Sequence, residues 1–302
     1  ERSPVPDGGV IVGWPRGGVP QPLICLHDPE ADEWLYFRSL DDRVREKRFA
    51  VYRTDAGVTV ELIHEDAGHE MTNETTVPPW EIGWCADPTV IVHRQMEHAE
   101  RAFDLQPWET RPDVPDWARA ISFVAAIHMM HWSGYVFNTY DRALEVLDWV
   151  CGRIDGRRVL AFLPGWEGRY YWQYGHYRPH PRLGGADAFR RLVEGAHELG
   201  VHVCPMLGCN CANTGLANFE QWGAGSHLKS AGGLVFQGNK PDWDVARAHD
   251  PGWQAWLNPG APGWGNRLFE ESARIVEQFG VDALFYDTCG TWTNDPNHPV
   301  YE

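Results

Sequence analysis

Asp287 is the side chain of this 302-residue chain best placed to do chemistry. It ends Gly280-Val-Asp-Ala-Leu-Phe-Tyr-Asp287, an apolar run that reads as a buried parallel strand delivering one carboxylate at its C-terminal end. Barrel enzymes build their sites on that rim, so the position makes Asp287 a catalytic candidate. The same carboxylate could instead cap the following turn or accept from a backbone amide. Asp282, five residues earlier, falls at the bottom of the strand, where structural roles predominate.

A second group follows an earlier apolar run. Trp166, Glu167, Arg169, Tyr170, Tyr171 and Trp172 place two charges among four aromatics. As a binding set they would offer ring faces to a sugar, with Glu167 and Arg169 bonding its hydroxyls; equally, they could pack the rim. Trp132 beside His131, and Asn210, also follow apolar runs. If all the runs are parallel strands, Trp132, Trp166, Glu167, Asn210 and Asp287 converge on one concavity. His202, Cys204, Cys209, Cys211 and Cys289 offer ligand types that suit zinc. Their C-x4-C-x-C spacing matches no paired pattern, so neither metal nor cofactor is expected.

These residues need a scaffold, and the segments between them supply its grammar. Arg119 to Met130, Arg158 to Leu163, Val201 to Leu207 and Val281 to Tyr286 read as strands. Asp141 to Ile154, Asp187 to Leu199 and Asn266 to Phe279 read as helices, the last two each followed by glycine. Apolar strands alternating with helices imply a parallel sheet covered on both faces. Connections after the strands are long and polar while those before them are short, as expected when the C-terminal rim carries a site. The first hundred residues differ, with short β-rich segments at 10–12, 23–26, 34–37, 48–53 and 58–63 separated by Asp, Gly and Pro turns. A helix is expected near 88–103, then a proline-rich linker.

The expected fold is therefore α/β: an antiparallel β domain over 1–112, then the first half of a (β/α)8 barrel over 113–302. Four βα units fit in that span, whereas a complete barrel takes about 250 residues, so the chain is expected to be truncated at its C-terminus. The runner-up is a complete open doubly wound sheet, but no glycine-rich phosphate loop follows the first strand.

A net charge of −16 argues against nucleic acid and anionic membrane surfaces as partners. No apolar run approaches the length of a transmembrane helix. Seven scattered cysteines without paired spacing read as mostly reduced and buried, which leans towards a soluble, cytoplasmic protein but leaves localisation unread. Oligomeric state is not legible.

Pro164 to Trp172, with Arg178-Pro, Arg182-Leu-Gly-Gly185, Val203 to Leu207 and Gly280 to Asp287, resembles a poorly characterised family of TIM-barrel glycoside hydrolases. That family is more distantly similar to α-galactosidases, α-glucosidases and endo-α-N-acetylgalactosaminidases. The resemblance covers Asp113 to Asp287. It implies a preceding β-sandwich, a nucleophilic Asp at the end of the fourth strand, matched by Asp287, and an acid/base from a later strand, beyond Glu302. It also moves Asp250 and Trp253 towards the cleft. Cleavage of an α-linked sugar would need two carboxylates, about 5 to 5.5 Å apart for retention and wider for inversion. A non-catalytic carbohydrate-binding protein is the alternative.

Overall fold

The computed structural model describes residues 5–14, 18–64, 76–169, 172–228 and 254–289. The described residues up to 111 form one compact unit and those from 112 to 289 another.

The first unit holds two antiparallel sheets. One joins β1 (Val10–Trp14), β4 (Lys47–Thr54) and β5 (Gly57–His64) in the order β1-β4-β5; the other joins β2 (Leu23–Asp28), β3 (Glu33–Ser39) and β6 (Trp80–Cys85) as β2-β3-β6. Sequence reading left β6 out, because Trp-Glu-Ile-Gly-Trp-Cys carries a glycine in its middle and runs almost directly into a helix. Gly83 is there for space: a Cβ would lie 2.7 Å from the Tyr36 hydroxyl on β3. Phe49 of β4 meets Trp80 of β6 edge-on at 5.6 Å. Helix α1 (Pro88–Ala102) starts at Asp87, whose side chain accepts from the Thr89 amide, and proline occupies its first turn. Its buried Gln95 donates to the Ser39 carbonyl at 3.2 Å, tying the helix to β3.

Among the described residues of this unit, the buried charges Arg38, Asp41 and Lys47 are paired. Lys47 is wholly inaccessible, and its Nζ donates to Asp41 Oδ2 at 2.6 Å and to the Arg45 carbonyl at 2.7 Å. Arg45 donates to the same carboxylate at 2.8 and 2.9 Å. Burial alone would raise the Asp41 carboxyl; hydrogen bonds from Arg45 and Lys47 and the Lys47 charge bring it below its ordinary value.

The second unit is a curled half-barrel whose four described parallel strands run β7 (Phe123–Ala126), β8 (Val159–Leu163), β9 (His202–Gly208), β12 (Phe285–Asp287) across the sheet. Helices α3 (Tyr140–Cys151), α4 (Gly185–Glu198) and α6 (Pro262–Phe279) lie between consecutive strands in the sequence. Their apolar stripes, with Leu147, Phe189, Leu192 and Ile275, join Ala161, Leu163 and Val203 of the sheet in one core. Each such large side chain contributes about 1.5–3 kcal/mol by leaving water. Gly280 ends α6 in the left-handed conformation at φ 69°, a cap that glycine adopts without strain. A short antiparallel pair, β10 (Cys211–Asn213) with β11 (Gln254–Trp256), and the single turn α5 (Phe219–Trp222) fill the excursion after β9.

Two strands are shorter than expected. The run from Arg119 opens instead as the last part of helix α2 (Asp116–Ala120), which follows Pro115 and is braced by Arg119 on Asp116 at 2.8 Å. The chain beyond β7 stays extended, with the Ile127 and Met129 amides donating to the Phe162 and Pro164 carbonyls at 2.9 Å. β12 begins only at Phe285, because the Asp282 and Ala283 amides both turn to the Val203 carbonyl. β12 and β7 are the sheet edges among the described residues, and Phe285 and Tyr286 on β12 are exposed.

Candidate active site

Asp287 closes β12 opposite Gly208 of β9 in parallel register, and its carbonyl accepts from the Cys209 amide at 2.7 Å. Its carboxylate is half-buried and accepts a hydrogen bond from the Tyr174 hydroxyl at 3.1 Å. Tyr174 is fully buried, and it reaches Asp287 only because β9 ends in glycine: a Cβ on Gly208 would sit 2.1 Å from the Tyr174 ring. Tyr177, also buried, grips the same residue from its other polar atoms, accepting from the Gly208 amide and donating to its carbonyl at 3.0 Å. Two tyrosines thus fix the β9 end against the carboxylate.

The backbone is strained immediately after Asp287. Thr288 has φ 67°, a left-handed conformation that a β-branched residue adopts at a cost of about 1–3 kcal/mol. Its hydroxyl donates to the Asp287 carbonyl at 2.5 Å, accepts from the Asn210 amide at 3.5 Å and contacts the Cys211 sulfur at 3.6 Å. Such strain persists only where surrounding contacts over-determine it, and it concentrates at functional positions.

Glu167 is the second unusual carboxylate. Gly165, at φ 69°, makes the tight turn that presents Trp166 and Glu167; a Cβ there would meet the Met130 carbonyl at 2.2 Å. Glu167 is 2% exposed, and neither carboxylate oxygen has a hydrogen-bond partner among the described residues. Burial pushes its carboxyl up to about 8. It is then largely protonated near neutral pH, when it can both donate and accept. Glu167 and Asp287 are both close enough to Tyr174 for their charges, after burial, to hold its hydroxyl further above the ordinary tyrosine value. The two carboxylates therefore share a neighbour.

Trp166 is in the core. It is fully buried, its ring stacks on Phe189 at 4.9 Å, and its Nε1 donates to the Met206 carbonyl at 2.9 Å. Its carbonyl accepts from Tyr140 at 2.6 Å. No indole face is open in this arrangement, so the residue anchors the turn that carries Glu167. Arg169 joins Trp132: its Nε donates to the Trp132 carbonyl and its guanidinium lies 5.2 Å from the Trp172 ring centre. Trp132 in turn packs on His131 at 3.7 Å. Asn210 is buried between the ends of β9 and β10, its carbonyl accepting from Leu257 at 2.8 Å. Tyr171, Asp250 and Trp253 lie outside the described residues.

Among the described residues no three His, Cys, Asp or Glu side chains converge to hold a metal ion. His202 instead stacks on Trp117 at 4.2 Å and contacts Asp282 at 3.3 Å. Asp282 also accepts from His197 and from the Val203 amide at 2.9 and 2.7 Å. Sequence reasoning passed over Tyr174, Tyr177 and Thr288. Gly208, a glycine ending an otherwise apolar strand, was the signal that something large approaches there.

No family profile matches the chain, and no curated protein matches its sequence. Solved structures match its fold. An α-N-acetylgalactosaminidase from Bifidobacterium bifidum aligns with TM-score 0.64 at 14% identity, over 94% of this chain and 48% of its own. An α-galactosidase from Thermus thermophilus, solved with stachyose, aligns with TM-score 0.51 at 16% identity, over 89% and 48%. One from Lactobacillus brevis gives 0.54 at 12% identity, over 95% and 37%. The chain spans about half the length of these structures or less. At such identities the likeness is one of fold, shared with glycoside hydrolases.

Proposed function

We propose that the chain carries the nucleophile half of a glycoside hydrolase acting on an α-linked sugar, with Asp287 attacking the anomeric carbon. The observation that carries this reading is the position of Asp287 at the C-terminal end of the fourth parallel strand, braced by buried Tyr174 and followed by strained Thr288. A carboxylate half-open to solvent and held by one neutral donor keeps an oxygen available for attack. The names of the fold neighbours point to an α-galactoside or α-N-acetylgalactosaminide as substrate. A second carboxylate, supplied by another strand, then serves as the acid/base. Glu167, held protonated by burial, together with Arg169, Asn210 and Trp132, would bond the sugar hydroxyls, with Tyr171, Asp250 and Trp253 completing the cleft.

The test is hydrolysis of aryl α- and β-glycosides by the full-length protein and its Asp287→Asn variant. An amide preserves shape but can neither attack nor balance positive charge, so turnover is expected to fall by about 10⁴-fold or more while sugar binding persists. Near-normal turnover would place the nucleophile elsewhere, and sugar binding without turnover by the wild type would make the protein a binding module.

A further inference from the structure

Two thiols stand beside Asp287. Cys209 is the first residue after β9 and Cys289 the second after β12, so with Gly208 opposite Asp287 the two cysteines leave the sheet one register step apart, and their thiols meet in a hydrogen bond. Neighbouring strands are about 4.8 Å apart, within the Cα separations a disulfide spans. The left-handed turn at Thr288 aims Cys289 back towards β9. Both residues are held in place: the Cys209 amide donates to the Asp287 carbonyl at 2.7 Å, and the Cys289 thiol donates to the Tyr286 carbonyl at 3.1 Å. Burial pushes the Cys209 thiol up to about 12, and its hydrogen bond with the Cys289 thiol adds to the rise. Cys211, the third thiol nearby, is fully buried and turned to the Thr288 hydroxyl. All seven cysteines are free, five of them only half-buried, against the expectation of mostly buried thiols.

We propose that Cys209 and Cys289 are a redox-active pair that closes to a disulfide on meeting a low-molecular-weight disulfide, tying the ends of β9 and β12 together beside Asp287. Cys289, whose hydrogen bond lies at the exposed surface, gives up its proton to solvent and attacks one sulfur of the reagent. The reagent's S–S bond breaks and one reagent thiolate leaves, taking up a proton. Cys209 then loses its proton and displaces the second reagent thiolate from Cys289. Two protein thiols are oxidised to one disulfide, and the reagent disulfide is reduced to two thiols. The closed loop spans about 80 residues, long enough to restrict the unfolded chain strongly.

The inference does not depend on any role of Asp287 in catalysis, because the readout is a covalent bond. The chain is incubated with glutathione and glutathione disulfide in varied ratio, alkylated, digested and mapped by mass spectrometry. A peptide pair linked through Cys209 and Cys289 is expected in native buffer, whereas in urea the links should scatter over several cysteines. The midpoint of thermal unfolding should rise by more than about 5 °C in the oxidised form. Cys289→Ser, a conservative change at a half-exposed position, should lose both the link and the shift. Alkylation of both thiols at every ratio, a lasting glutathione adduct on Cys289, a Cys209–Cys211 link, or the same link in equal yield in urea would each overturn the proposal.

Discussion

Lys47 and Glu167 are both ionisable side chains taken out of water, and the protein treats them in opposite ways. Lys47, in the N-terminal unit, is surrounded by Asp41 and the Arg45 carbonyl, so its charge is met from more than one side. Glu167, in the C-terminal unit, has no hydrogen-bond partner for either oxygen among the described residues. The contrast is not one of unit. Glu271 on α6 is as deeply buried as Glu167, yet Arg178, Arg267 and Arg274 surround it, and although burial would raise its carboxyl, the arginines hold it below the ordinary value. Among the described residues, Lys47, Asp41 and Glu271 are paired where they are buried, whereas Glu167, left unpaired, acts on Tyr174, the residue that bonds Asp287. Protons then act oppositely on the two kinds of site. Asp41, with a depressed value, contributes stability above its ordinary 3.8 that is lost as pH falls. Glu167, with a raised value, contributes stability that is full below 4.5 and lost as pH rises through about 8.

The largest effect should come from breaking a pair. Lys47→Ala leaves buried Asp41 with Arg45 as its remaining cation and opens a cavity where the lysine was, and is expected to cost about 3–5 kcal/mol, read as a shift of the urea midpoint of the N-terminal unit. Replacing the whole cluster, Lys47→Met with Asp41→Leu and Arg45→Met, should recover most of that loss. A single variant as stable as the wild type would show that the cluster is not a brace. Trp166→Ala comes next, at about 3–5 kcal/mol, because it removes a filled core volume and strands the Met206 carbonyl. A variant of native stability with weakened sugar binding would return Trp166 to the role of binding platform.

How much of this was legible in the sequence follows the same division. Alternating strands and helices, the glycine cap at 280 and a carboxylate ending the last strand are local patterns, and the fold places Asp287 at that strand end. The partners of Asp287 are not local. Tyr174 lies 113 residues away, and only the missing side chain of Gly208 hinted at it. Trp166 illustrates the converse, since an aromatic next to a glutamate reads as a rim platform, whereas burial depends on Phe189 and Met206 from other elements. β6 and α2 escaped notice because a glycine in a short strand and a proline beside a short helix each mimic a loop.

Glu167→Gln tests the unpaired half of the comparison with a smaller expected effect. The amide keeps the shape and cannot ionise, so the variant should match the wild type below pH 5 and exceed it in stability above pH 8. The gain is expected to be about 2 kcal/mol, less than the nearly 5 kcal/mol that the full shift would imply, because water entering the opened niche relieves the charge. The reading is unfolding free energy against pH. Parallel profiles for the two proteins would mean that Glu167 is not held in the neutral form.

Tyr174→Phe is the mildest change and the sharpest for the site. The ring remains against Gly208, so packing is kept, and only the hydrogen bond to Asp287 is lost. A neutral hydroxyl bonded to a carboxylate contributes about 1.5 kcal/mol, so stability should fall by about 1 kcal/mol or less, since the half-buried Asp287 can take a water in exchange. Turnover should respond differently. If Tyr174 orients the attacking oxygen in the proposed reaction, kcat falls by about tenfold with KM little changed, because orientation is felt at the reacting atom and not in sugar binding. A rise in KM at constant kcat would make Tyr174 a part of the binding wall. No change in either would mean that Gly208 and Tyr177 alone position the strand end, and that the bond to Asp287 belongs with the paired, structural charges of the N-terminal unit.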